Sequence, residues 1–448
     1  MKVLVVNGSP KGAYSITLHT ALYLEKRHPE HEFRVLHAGQ KIKKLEKDFS
    51  EAKEGIEWAE AIVFAYPVYT FIAPSQLHRF IELMKEHKMD VNGKYATQIT
   101  TSKHFYDTTA HRYVQDNCQE MGMRYVRGLS ADMDDLPTEK GRQEAENFWQ
   151  HFCWNVENGY CEPNLQLKVN YTPKPVTPAE ENHAGKSGDV VIVADLPDEN
   201  HQLSSMIERF RAKLPYKTRL VNLRKTSIMG GCLGCFHCAT DGKCVYKDGF
   251  DEYLRKEIQT AQAMIFAFEI RDHAMGSLFK MYNDREFCNG HRTVTVGMPV
   301  GYLVSGAYSA ETNLQTIIEG RSQVGGNPLA GVATDEFDPD REIDQLAQKL
   351  DFILRTHHSE PQNFYGIGGM KIFRDLIYIM RGMMKADHRF YKAQGHYDFP
   401  QKKMGTILKM YLVGALISSP KIRAKMGNSM NEGMIAPYRK VIENMEKK

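Results

Sequence analysis

Two stretches of the chain, one starting at Lys2 and the other at Val190, open in the same way: a short β-branched run, a turn carrying polar residues, then a long helical pattern. The first is Lys2–Val6 followed by a helix from about Ser15, and the second is Val190–Ala194 followed by a helix from about Leu203. Each continues through a second strand (Glu32–His37; Thr218–Leu223), a third (Ala61–Ala65; Ala263–Phe268) and a fourth (Tyr95–Thr100; Val300–Val304), with helical stretches between. Strands alternating with helices predict βαβ units and a parallel sheet covered on both faces. Because the pattern occurs twice, the expected architecture is α/β, with two doubly wound parallel sheets in tandem. A length of 448 residues suits that, at about 150 residues per domain.

The predicted organisation is a first domain over 1–165, a linker over 166–188, a second domain over 189–360 and a helical extension over 361–448. The linker follows from Tyr171 to Pro178, where three prolines and the polar stretch after them favour extended backbone. The two copies can be put in register. Pro10 corresponds to Pro197, an offset of 187, and Pro67 to Glu269, an offset of 202. The second copy has therefore gained 15 residues, about the size of a cysteine-bearing loop after its second strand. This reads as a diverged internal duplication.

Overall charge is nearly balanced, 58 Lys and Arg against 55 Asp and Glu, which gives no reason to expect a nucleic-acid partner. The extension is different: 361–448 carries 16 basic against 6 acidic residues and is rich in Met. It could cap the second domain, cover a cofactor or lie on an anionic membrane, and a domain-capping arm is the expected use. Its longest apolar stretch, around Met410 to Ile417, is short of the ~20 residues of a membrane span. Met1 runs directly into Val3–Val6 with no secretory-signal pattern, so a cytoplasmic protein is expected.

The first strand-to-helix turn, Asn7 to Thr17, combines Gly8 and Gly12 with the hydroxyls of Ser9, Ser15 and Thr17 at a helix N-terminus, where the macrodipole favours an anion. It is a plausible phosphate cradle. It is neither a dinucleotide fingerprint nor a Walker loop, and Gly185-Lys186-Ser187 fails as one because Glu180 stands at its first glycine position. After the third strand, Pro67-Val68-Tyr69 leads into a further helix. Ligands sit beyond the carboxyl ends of strands in such sheets, so the two loops face one crevice, suited to a phosphorylated planar cofactor. His104, after the fourth strand, could act as an acid or stack on substrate.

These residues, Gly8-Ser9-Pro10 with Ser15 and Thr17 and then Pro67-Val68-Tyr69, resemble the flavodoxin-like NADPH-dependent FMN reductase family over about the first 160 residues. His78 and Glu82 stand in place of that family's usual Lys and Asp. The resemblance implies an FMN site at Ser9, Pro10, Lys11, Ser15, Thr17, Pro67, Val68 and Tyr69.

The second copy holds Cys232, Cys235, Cys238 and Cys244 in a C-x₂-C-x₂-C-x₅-C run. Four thiolates so spaced suit an iron–sulfur cube better than zinc, which usually takes two separated pairs; structural or redox-active thiols are the remaining reading. This loop and the following Val245 to Asp248, with Lys280 to Arg285 further on, look like the iron–sulfur flavoproteins, a branch of the same family carrying FMN and a [4Fe-4S] cluster. Where phosphate would bind, however, the second copy has Asp195, Leu196, Asp198 and Glu199, and carboxylates repel phosphate. It also has Glu269-Ile270-Arg271 for Pro67-Val68-Tyr69. One copy is thus expected to hold FMN and the other the cluster. Cys118, Cys153, Cys161 and Cys288 lack ligand spacing and read as buried or surface thiols.

The resemblance implies an FMN-dependent oxidoreductase, NAD(P)H-linked or fed by a ferredoxin-type donor, passing electrons between cluster and FMN to a small-molecule or protein acceptor. No acid, base or nucleophile is assigned, since the chemistry would belong mainly to the flavin. The alternatives are a non-enzymatic electron carrier, a simple FMN reductase with a cluster-free second domain, or a cofactor-free scaffold. Homo-oligomerisation is open.

Overall fold

The computed structural model describes residues 1–181, 187–421 and 429–445. Gly185 and Lys186, with the rest of 182–186 in the linker, and 422–428 and 446–448 of the extension lie outside the described residues.

The first sheet contains β1 (Lys2–Asn7), β2 (Glu32–Leu36), β3 (Ala61–Pro67), β4 (Tyr95–Ser102), β5 (Arg124–Tyr125) and β6 (Leu129–Asp132). Its order is β2-β1-β3-β4-β5, with β6 continuing along β4, and every pairing is parallel. The connecting helices are α1 (Ile16–Arg27), α2 (Ala38–Leu45), α3 (Ser50–Trp58), α4 (Ser75–Glu86), α5 (Asp107–Glu120) and α6 (Glu139–Asn158). The second sheet contains β7 (Ser187–Ala194), β8 (Tyr216–Asn222), β9 (Ala263–Glu269), β10 (Val300–Ser305) and β11 (Leu329–Thr334), again all parallel, in the order β8-β7-β9-β10-β11. Counted from its own first strand, each sheet has the order 2-1-3-4-5, the doubly wound arrangement of a flavodoxin. Helices α7 (His201–Lys213), α8 (Cys238–Asp241), α9 (Phe250–Tyr253), α10 (Gly276–Arg285), α11 (Thr312–Gly325) and α12 (Pro339–Thr356) accompany it.

The α/β class and the eight expected strands are observed, with ends that coincide or differ by no more than three residues. The fifth strand of each sheet was not anticipated. The central strands are buried on both faces, as crossover helices require: β1 and β9 are apolar along nearly their whole length. Each first helix starts where a polar side chain satisfies an orphan N–H. Ser15 Oγ accepts from Leu18 N–H at 3.3 Å, and Asn200 Oδ1 from Leu203 N–H at 3.0 Å. Equivalent backbone bonds close both first turns, Gly8 N–H to Ala65 O and Asp195 N–H to Ala267 O, each 2.9 Å.

Met1–Phe390 form one compact unit. One outer face of each sheet has its own core: α1 and α6 cover the first, with Trp149 and Phe152, and α7 and α12 the second, with Phe210 and Leu350. The inner faces share a single core in which α4 and α10 pack together, with Phe80, Tyr113, Phe279 and Tyr282 inside it. Polar contacts across this seam come in matched pairs. Ser75 N–H donates to Asp284 at 2.8 Å, and Ser277 N–H to Glu82 at 2.7 Å. Lys280 Nζ donates to Thr70 Oγ1 at 3.0 Å, and His78 Nδ1 meets Asp272 Oδ2 at 2.6 Å. Corresponding residues of the matched contacts, Ser75 and Ser277, Glu82 and Asp284, His78 and Lys280, Thr70 and Asp272, each stand 202 residues apart, the offset between Pro67 and Glu269.

At the edge of the same seam, burial acts to lower the His273 pKa, but Glu120 at 3.3 Å and Glu311 at 2.9 Å outweigh it and raise it to about 9 from 6.5. A folded-state pKa above the unfolded one gives stability that is complete below pH 6.5 and lost as pH rises through 9. The conformational stability is expected to fall by up to about 3 kcal/mol across that window. Denaturant midpoints measured through it should show the slope in the native protein and lack it in His273→Gln; an equal slope in both would remove His273 as its source.

Beyond α12 come α13 (Phe364–Ile379) and α14 (Lys385–Ala393), the latter running past the end of the compact unit. The second unit, Tyr391–Lys448, contains α15 (Met404–Ile417) and α16 (Ser429–Met445). Among the described residues no helix is long and apolar enough to cross a membrane.

Candidate functional site

The loop from β1 to α1 turns back on itself. Asn7 organises it, its amide donating to Gly12 O at 2.9 Å and its Oδ1 accepting from Ser9 N–H at 3.2 Å. Gly12 has φ +57°, and a Cβ there would strike Gln40. Ser9, Ser15 and Thr17 are buried, and their residues line a cavity of about 210 Å³ at the N-terminus of α1. Thr17 Oγ1 is tied to Thr101 Oγ1 of β4 at 2.6 Å. Hydroxyls at a helix N-terminus are a setting for an anion, so the residues present fit a phosphate.

Pro67, Val68 and Tyr69 line the same cavity, as does Lys11. Pro10 is buried in the loop. Tyr69 and Ile72 exchange backbone hydrogen bonds at 2.8 and 3.1 Å, closing a tight turn in which Thr70 and Phe71 adopt positive φ, +43° and +74°. Such backbone is costly for residues with a Cβ, and the second half of the chain holds it in place. Lys280 Nζ donates to Tyr69 O and Thr70 Oγ1, each at 3.0 Å, and is ion-paired with Asp284; both charged side chains are fully buried. Burial raises the Tyr69 phenol well above its ordinary pKa, so it stays protonated.

The remaining walls come from elsewhere in the chain. The β4 end and following loop contribute Thr101, Ser102, Lys103 and Phe105, while the second half contributes Phe287, Gly290 and His291. Helix α13 closes one side with Ile372, Phe373 and Leu376, and Asp387 follows it. Asp387 accepts from His291 N–H at 3.2 Å. His104 is not among the lining residues; its Nδ1 meets Asp107 Oδ2 at 2.8 Å.

Cys232, Gly234, Phe236 and Cys238 also line this cavity. The cysteine loop lies directly on the first loop. A Cβ on Gly234 would stand 1.9 Å from Tyr69 Oη and 3.2 Å from Lys11 Cε, and its φ is +60°. Only glycine meets both demands. Lys11 Nζ sits 5.4 Å from the Phe236 ring centre.

Behind it, Cys232, Cys235, Cys238 and Cys244 surround a second, small cavity, together with Cys288. All are free thiols. Burial pushes Cys232 up to about 12, Cys238 to about 11 and Cys288 to about 12. Gly234 N–H points at Cys232 Sγ, 3.4 Å away. Among the described residues no three metal-ligating side chains converge on a single ion position; the sulfurs line the walls of a cavity, and a four-thiol donor set is one that iron–sulfur chemistry uses. The loop's far end is anchored by Arg285, which is fully buried, forks onto Asp248 at 2.7 and 2.8 Å and stacks on Tyr246. Burial opposes ionisation of Asp248, but Arg285 holds its pKa down to about 2. Cys288 was missed as a neighbour of the four because it arrives from a short 3-10 helix, 44 residues after Cys244, with no spacing signal.

At the corresponding turn of the second sheet, protein groups take up the position that would face a phosphate. Asp195 is buried and receives Arg224 Nε at 2.7 Å. The linker crosses the carboxyl ends of the strands there, with Lys174 N–H donating to Asp335 O at 2.8 Å and Lys174 O accepting from Gln202 at 2.5 Å.

Residues 1–134 match the NADPH-dependent FMN reductase family. An iron-sulfur flavoprotein of Archaeoglobus fulgidus is 25% identical over 175 residues, 37% of this chain and 78% of that protein. Among solved structures, an apo NADH:FMN oxidoreductase aligns at 18% identity and TM-score 0.31 over 34% of this chain and 89% of its own. A general stress protein 14 of Treponema denticola, solved with FMN, aligns at 12% identity and TM-score 0.29 over 34% and 99%. Over its first 134 residues, then, the chain is similar to the NADPH-dependent FMN reductase family.

Proposed function

We propose that FMN binds in the larger cavity, its phosphate on Ser9, Pro10, Lys11, Ser15 and Thr17 and its ring against Pro67, Val68 and Tyr69, and that Cys232, Cys235, Cys238 and Cys244 hold a [4Fe-4S] cluster exchanging electrons with it. The observation that carries this reading is that Cys232 and Cys238 line both cavities. Bound FMN would accept hydride from NAD(P)H and release electrons singly or in pairs. The chain's own part is to bind and enclose: Lys280 and Asp284 fix the Tyr69 turn, Gly234 lets the cysteine loop approach, and α13 shields the cavity from water.

We further infer that the chain is a fused duplication, with domains at 1–165 and 189–360. Support comes from the equal strand orders, the matched backbone bonds at Gly8 and Asp195, and the paired contacts across α4 and α10. In this reading His78 and Glu82 occupy the places of Lys280 and Asp284, and Asp272 the place of Thr70, so a side-chain contact through a nitrogen crosses the seam on both sides. The second copy has exchanged its phosphate site for the Asp195–Arg224 pair. The reading places the protein in the cytoplasm, where thiols stay reduced.

The test is anaerobic purification with FMN, iron and sulfide measured per chain, followed by Cys235→Ser. One FMN and about four irons are expected. Cys235→Ser should lose the iron, keep FMN and lose electron exchange between the two centres. FMN without iron in the native protein would leave a simple flavin reductase, and unchanged kinetics in the variant would end the relay.

A further inference from the structure

The C-terminal helices carry an apolar surface with a distinctive charge pattern. Helix α15, Met404–Ile417, has Lys409 as its one charged residue. Leu408, Tyr411, Leu412 and Leu416 are 63%, 74%, 62% and 57% exposed, and Met404 and Met410 are exposed as well. At 100° per residue these positions spread round the helix rather than along one stripe. A helix apolar on all sides belongs in a protein core or in lipid. Fourteen residues make about 21 Å, short of the ~30 Å hydrocarbon thickness, so α15 cannot span by itself.

Charge selects the occupant. From Phe399 to Asn431 the sequence has six cations, Lys402, Lys403, Lys409, Lys421, Arg423 and Lys425, and no Asp or Glu. The second unit as a whole, 391–448, has 11 basic and 4 acidic residues. A second copy of the same segment would set like charge against like. An anionic lipid surface satisfies both features, with apolar side chains entering the acyl boundary and lysines meeting headgroups. Within the other unit, α13 makes a separate exposure of the same kind. Its inner residues Ile372, Phe373 and Leu376 line the flavin cavity, while Ile367, Ile379 and, just beyond it, Met383 face solvent, with Lys371 and Arg381 exposed beside them.

We propose that the C-terminal segment seats this protein on an anionic membrane surface, with α15 lying in the headgroup–acyl interface. This goes beyond the proposed electron transfer and stands or falls separately from it, because its test reads binding rather than redox chemistry.

The experiment is co-sedimentation of the full-length protein with vesicles of phosphatidylcholine alone and of phosphatidylcholine with phosphatidylglycerol. Binding to the anionic vesicles should exceed binding to neutral ones by at least about tenfold and fall by a similar factor as salt shortens the Debye length. Leu412→Glu with Leu416→Glu should abolish it, and Lys402→Glu with Lys403→Glu should weaken it, in both cases with an unchanged far-ultraviolet circular dichroism spectrum. Equal binding to both vesicle types, or to neither, would overturn the proposal. So would concentration-dependent self-association in light scattering that the leucine variants abolish, which would make a second copy the occupant.

Discussion

Lys280→Met is expected to lower conformational stability by about 3–5 kcal/mol, the usual cost of removing one partner from a buried ion pair. Lys280 and Asp284 are both fully buried, and all three ammonium protons are used, on Tyr69 O, Thr70 Oγ1 and Asp284. Burial disfavours the charged lysine and lowers its pKa, while Asp284 opposes that shift. Without the cation, Asp284 keeps only neutral donors, Ser75 N–H at 2.8 Å and the Thr70 hydroxyl at 2.6 Å. The methionine can fill the space of the stem but supplies no proton. Urea unfolding followed by far-ultraviolet circular dichroism measures the effect. A loss under about 1 kcal/mol would mean that water or a local shift satisfies the carboxylate. Because the same ammonium holds the left-handed Thr70, FMN affinity should fall together with stability.

Ser9→Asp is expected to weaken FMN binding by about three orders of magnitude. The Ser9 side chain is buried on the wall of the cavity, so an aspartate there could not turn to solvent. A carboxylate about 4 Å from a phosphate charge, at an effective dielectric of about 20, costs about 4 kcal/mol, which is roughly a thousandfold in Kd. Ser9→Ala removes a hydrogen bond without adding charge and should cost only about tenfold. Flavin fluorescence quenching on titrating the apoprotein reads all three. An aspartate variant that binds FMN as well as the native protein would move the phosphate away from this loop. The second copy carries a comparable change in its own sequence, with Asp195 at the position of Gly8, and there Arg224 occupies the carboxylate.

Local pattern made several elements legible. Val3–Val6 and Ala263–Phe268 are continuous apolar runs because both faces of their strands are covered, and Ser15 and Asn200 announce the helices they cap. The fifth strands left less trace. Arg124–Tyr125 is two residues long, and four of the six residues of Leu329–Thr334 are small or polar, since an edge strand is covered less completely. The hydroxyl loop and the cysteine run were visible for a related reason: each packs its chemistry into fewer than fifteen consecutive residues.

What the linear order could not contain is which loop faces which. His78 and Glu82 look like departures until they are seen opposite Asp272 and Ser277, about 195 residues away, where their hydrogen bonds mirror those of Lys280 and Asp284. Gly234 looks like a spacer between cysteines, yet its missing Cβ is what allows Tyr69 to lie against the loop. Cys288, His291, Phe373 and Asp387 reach the two cavities from three separate segments with no shared motif. By itself the sequence determined the two α/β folds, the phosphate-type loop and the four-thiol loop, because backbone periodicity, capping and short ligand spacing are local. Only the tertiary structure decided that the two loops share one cavity and that α13 closes it, because those contacts follow from burying the facing helices of both sheets in one core.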